Sequence, residues 1–170
     1  MQAAILNGLA FNLSWLVIIK CQSNIVGAAV VLIHVLVHMR LLGKGRREWV
    51  LLATVFLLGL TLDQLLFLVG VLNLSGEPAL APFWLGCLWP ILATTLMHAF
   101  ASLQQRLWLA GVFGALGGGA SYVAGTQLSE VGFGWPLLSP LLIATLWLVM
   151  LPALLILART IQNTSWGKLQ

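Results

Sequence analysis

Six apolar runs, separated by short polar breaks near positions 20–23, 40–48, 73–81, 104–107 and 129–136, make up nearly the whole chain. The pattern predicts helices over about 3–19, 24–40, 49–72, 82–103, 108–128 and 137–158. Each is long enough to cross a hydrocarbon core ~30 Å thick. The expected fold is therefore all-α, a polytopic integral membrane bundle of six transmembrane helices forming a single domain over 1–170. Glu48, just ahead of the third run, suits a helix N-terminus, and Asn73, Ser75, Gly76, Glu77 and Pro78 read as a loop. Pro90 removes a backbone donor from the fourth run and is expected to kink it.

Composition agrees with this reading. With 61% hydrophobic and only 7% charged residues, a soluble domain could not cover its own surface. The run Ala3 to Ile19 has no Lys or Arg ahead of it and no A-x-A-like site behind it, so it reads as a retained helix and not a cleaved signal. Cys21 follows Lys20, where a lipobox cysteine would follow a small residue, so lipidation is not expected. Cys21 and Cys87 read as two free thiols.

The net charge of +4 reports topology before any nucleic-acid partner. Arg40, Lys44, Arg46, Arg47, Arg106, Arg159 and Lys168 fall on one face of the six-helix plan; Lys20, Glu77 and Glu130 fall on the other. By the positive-inside rule both termini are cytoplasmic. Trp49, Trp84, Trp108 and Trp135 sit at run ends as interface anchors. The two halves would have opposite topologies, as in inverted-repeat transporters, yet no residue-by-residue similarity links them.

The candidate chemistry centres on Asp63, the one carboxylate inside the long apolar segments. An ionisable group there is by default a functional-site hypothesis. Gly59 and Gly70, four before and seven after it, share its helical face and turn it toward protein. Counting ~1.5 Å per residue from each inner helix end places Pro90, Ser121, Tyr122 and Thr145 near its depth. Asn12 and Gln64 lie nearby. With no second acid at this level, paired-carboxylate catalysis is disfavoured. Asp63, Tyr122, Ser121, Asn12, His98 and Gln64 form the expected substrate or proton site.

His34, His38 and His98 form a second layer nearer the inner surface. They are candidate metal ligands, or haem ligands in the case of His34 and His98, but one i,i+4 pair and a distant third histidine more often make hydrogen bonds in a core. No metal or cofactor is expected. Glycines recur at four-residue spacing in the fifth run, so Gly114, Gly118 and Gly125, with Gly59 on the third, read as positions of close helix packing.

The stretches LDQLLFLVGVLNL, LAPFWLGCLWPILATTLMHAF, GVFGALGGGASYVAGTQL and LWLVMLPALLILAR together resemble a family of small bacterial inner-membrane proteins known as a domain of unknown function. The resemblance covers nearly the whole chain and points to Asp63, Trp84, Trp89, His98, Gly118 and Tyr122. It implies genes beside those of fatty-acid-modifying enzymes, and hence a lipid-linked role with membrane lipids and lipid-modifying enzymes as partners. The expected function is binding or transport of a small amphiphile in a cavity lined by Asp63, Tyr122, Asn12 and His98. The alternatives are a lipid-modifying enzyme using Asp63 and His98, and a scaffold recruiting soluble partners through RLLGKGRRE.

Overall fold

A computed structural model describes residues 2–75 and 79–164; Gly76, Glu77, Pro78 and Lys168, assigned above to a loop and to the basic face, lie outside these. Among the described residues, five helices are long and apolar enough to cross a membrane: α1 (Gln2–Cys21), α2 (Asn24–Leu41), α3 (Arg46–Leu68), α5 (Leu107–Leu128) and α6 (Leu138–Asn163). The fourth run departs from expectation. Its helix, α4 (Phe83–Leu96), is shorter, and at ~1.5 Å per residue covers roughly 21 Å.

The short helix is the middle of the bundle. It packs against α1, α2 and α3, and Ile91, Ala93 and Leu96 are completely buried. Because α4 meets protein rather than lipid, its backbone can break within the membrane without presenting unpaired groups to hydrocarbon. It does so twice. The first break is at Cys87, between Phe83–Gly86 and Leu88–Leu96, one residue beyond the carbonyl that the Pro90 ring would strike in a continuous helix. Past that break Pro90 lies in the first turn, where a missing N–H costs nothing.

The second break ends α4 seven residues before its expected limit of 103. Here Lys44 Nζ donates to Met97 O (3.1 Å) and Gln104 Nε2 donates to Leu96 O (3.0 Å). Both carbonyls are thus satisfied by side chains from elsewhere, and the chain turns into a 3-10 segment, Ala101–Gln105.

Helix α3 also stops early, at Leu68 and not 72. Gly70 adopts φ +73, a left-handed conformation that suits glycine, so it lies off the helix and cannot share a face with Asp63. The next residues form β1 (Leu72–Leu74), which pairs antiparallel with β2 (Val131–Phe133) in the register Leu72↔Phe133. This ribbon ties the end of α3 to the end of α5. Glu130 N donates to Gln22 Oε1 (2.8 Å), which joins the α1–α2 turn to the same end.

Glycines decide how α5 meets α6. A Cβ on Gly118 would overlap the Trp147 indole, and one on Gly114 would overlap the Trp147 carbonyl. Close backbone approach of this kind is how small residues pack helices in membranes. Between them α5 widens into a π turn, Gly114–Gly118. Gly125 makes only ordinary contact, 3.8 Å from Ile19 Cδ1. Among the expected interface anchors Trp49, Trp108 and Trp135 are exposed, whereas Trp84 is buried in the core. Both cysteines are free thiols, Cys21 exposed and Cys87 buried.

Candidate functional site

Asp63 sits near the ribbon end of α3 and is 1% exposed. Trp89 Nε1 donates to its Oδ2 at 2.7 Å, and the Tyr122 hydroxyl donates to its Oδ1 at 3.3 Å. One donor comes from α4 and the other from α5, so the carboxylate joins three helices. Gly59, one turn away, lets Trp89 reach it, because any Cβ there would overlap the indole. Trp89 lies parallel to Trp147 of α6, with ring centroids 5.8 Å apart and planes 6° apart. Trp147 in turn meets the Tyr122 ring at 6.4 Å.

A cavity of about 250 Å³ adjoins this group. Phe11 and Trp15 of α1 bound it on one side, and Gly117, Ser121 and Tyr122 of α5 on another, with Asp63, Trp89 and Trp147 in its wall. Most of the lining is aliphatic or aromatic. Gly117 is exposed and nothing lies within 4 Å of where its Cβ would stand, so the cavity has room between α1 and α5. On the far side, Asp63 also lines a second hollow, with Leu60, Thr61, Gln64, Pro82 and Phe83. The acid stands between the two.

Several lining hydroxyls are already committed. Ser121 donates to Gly118 O (2.7 Å), Thr126 to Val123 O (2.9 Å) and Ser129 to Gly125 O (2.9 Å). Two buried donors have no partner among the described residues: Trp147 Nε1 and Gln64 Nε2. Gln64 uses its other atom, Oε1, to accept from Ala81 N (3.3 Å).

Two residues expected at this site are elsewhere. Asn12 is exposed and donates to Gly8 O of its own helix at 2.8 Å. His98 lies at the opposite end of α4, where a second polar group has formed around Glu48. Asp63 is therefore not the only buried acid: Glu48 is 0% exposed. His38 Nε2 donates to Glu48 Oε1 at 2.5 Å, and His98 Nε2 donates to the same oxygen at 3.0 Å. Lys44 N donates to Oε2 at 2.7 Å. Three chain segments thus close on one carboxylate.

The ring tautomers in this group follow from their neighbours. Ala99 N donates to Asn7 Oδ1 (3.3 Å), so the Asn7 amide turns its Nδ2 toward His38 Nδ1 (3.3 Å). That nitrogen must accept, which places the His38 proton on Nε2, facing Glu48. His34, stacked on His38 at 6.4 Å, behaves alike. The Thr94 hydroxyl proton goes to Ile91 O (2.6 Å), so Thr94 accepts from His34 Nε2 (3.1 Å), and Ser14 donates to His34 Nδ1 (2.8 Å).

This pattern answers the metal and haem alternatives. The ligand atoms of His38, Glu48 and His98 lie within 4.8 Å of one another, close enough for one ion. A metal-bound imidazole, however, gives its other N–H to an acceptor, and His38 Nδ1 faces an amide donor. The residues suit shared protons and do not suit a metal at His38. His34 does not pair with His98, and both its ring nitrogens are engaged, so it does not fit as a haem ligand.

Nothing local marked Glu48 beyond its helix-end position, because its partners come from 10 and 50 residues away. Trp89 was indicated by family resemblance alone, and Trp147 by nothing.

A helical bundle with five membrane-length helices, a broken central helix and a buried acid beside an apolar cavity defines a polytopic membrane protein. Residues 4–153 match the family described as protein of unknown function (DUF2878), and the chain belongs to that family. No curated protein and no solved structure matches it.

Proposed function

We propose that this protein binds, and passes on, a small amphiphile within the bilayer, with the polar head at Asp63 and the apolar part in the cavity between α1 and α5. The observation that carries this reading is the cavity itself. An apolar space with one carboxylate in its wall is the form that small-molecule sites take, and Asp63 is supported by partners from two other helices. Its place between two hollows supports passage as well as binding. The lipid-linked role implied by family resemblance points the same way, with membrane lipids as the surrounding partners. The lipid-enzyme alternative has no comparable support, since Asp63 and His98 serve separate polar groups. The basic residues around α2–α3 support cytoplasmic termini, which reporters fused at either end test, and the family resemblance supports placement in a bacterial inner membrane.

Mass spectrometry of molecules that co-purify in mild detergent tests the binding. Gly117→Trp fills the cavity from a position with nothing within 4 Å, and should lose the bound species while the protein stays folded. If the variant retains the same species in the same amount, the cavity is not the binding place.

A further inference from the structure

We infer that the amphiphile is an organic cation whose positive head sits against Asp63 among the rings of Trp89, Tyr122 and Trp147. The inference rests on the cavity reading above and adds the sign of the charge. Its first support is the hydrogen-bond pattern of the acid. Both contacts are donated to it, one to each oxygen, and since a carboxylate offers about four acceptor sites, capacity is left over. A buried anion with part of its capacity unused favours a positive partner.

No described residue supplies that partner. No Lys or Arg is among the described residues lining either hollow. The histidines are engaged elsewhere, His34 by Ser14 and Thr94, His38 and His98 by Glu48. The lysine nearest the central helix, Lys44, donates to Met97 O at the other end of α4.

The remaining wall argues against other heads. An anionic head would meet Asp63 and find the hydroxyls of Ser121, Thr126 and Ser129 already donating to backbone carbonyls. The cavity wall holds the rings of Trp89, Tyr122 and Trp147, and aromatic rings attract a cation at distances up to about 6 Å from the ring centre.

The test uses the full chain in dodecyl maltoside micelles, whose non-ionic head neither concentrates cations nor carries an ammonium group of its own. Binding of hexyltrimethylammonium is compared with that of 2,2-dimethyloctane, its uncharged carbon isostere, by native mass spectrometry. We expect one ammonium per chain, bound at least tenfold more tightly than the isostere, with that preference lost in Asp63→Asn. Equal affinity for the two compounds in the wild-type chain, which needs no variant to fold, overturns the cation assignment while leaving the cavity reading intact. So does an unchanged preference in folded Asp63→Asn. If neither compound binds and Gly117→Trp leaves the co-purifying species unchanged, the cavity reading itself fails, and the inference with it.

Discussion

The two buried acids of this bundle have opposite surroundings. Glu48 accepts two imidazole N–H groups and the Lys44 backbone N–H, and those imidazoles are themselves held, His38 by Asn7. Asp63 accepts one indole and one phenol and borders a hollow on either side. The first is a closed knot that fastens α2, α3 and the end of α4. The second is an anchored group with capacity left over. Burial alone does not mark a binding site in a membrane protein; a buried charge with partners to spare and space beside it does.

The largest effect expected from this contrast is at the knot. Glu48→Ala leaves three N–H donors facing one another in a buried place. Loss of a carboxylate so partnered costs about 3 to 5 kcal/mol, measurable as an earlier unfolding midpoint in a denaturing-detergent titration. A midpoint equal to wild type would show that the knot holds nothing together.

A smaller effect is expected where the Asp63 site is shaped by packing. Gly59→Ala puts a methyl group into the Trp89 indole, and overpacking of this sort costs about 1 to 3 kcal/mol. The ring must move from Asp63, so the variant should also weaken ligand binding. If stability falls and binding does not, Trp89 is a packing residue and does not position the acid.

The helices themselves were readable because the length of an apolar run is a local signal. What escaped was set by distant partners. Val69 to Leu72 is apolar enough to carry α3 to 72, yet the chain leaves the helix after Leu68 and Leu72 to Leu74 pairs with Val131 to Phe133, about sixty residues on. The run from 82 to 103 looks like a full span because nothing in it shows that Lys44 and Gln104 will take the carbonyls of Met97 and Leu96. Counting depth along each helix did place Tyr122 and Ser121 with Asp63, since the rise per residue is fixed. The same counting favoured Pro90, while the contact is made by its neighbour Trp89, because depth does not determine which face of a kinked helix looks inward. His98 meets His38, and the buried acid it serves is Glu48 and not Asp63.

The smallest stability effect is expected from Asp63→Asn, and it separates the two sites most directly. An amide at position 63 keeps one oxygen to accept from Trp89, and its nitrogen can donate to Tyr122 once that hydroxyl reverses, since a phenol both donates and accepts. At Glu48 the corresponding amide nitrogen would face either the fixed Lys44 backbone N–H or the two imidazole N–H groups, one of them set by Asn7. Asp63→Asn should therefore shift the unfolding free energy by less than about 1 kcal/mol, and Glu48→Gln by more, in the same titration. If Asp63→Asn proves the more destabilising of the two, the charge on Asp63 holds the bundle together, and its spare capacity is no sign of a ligand.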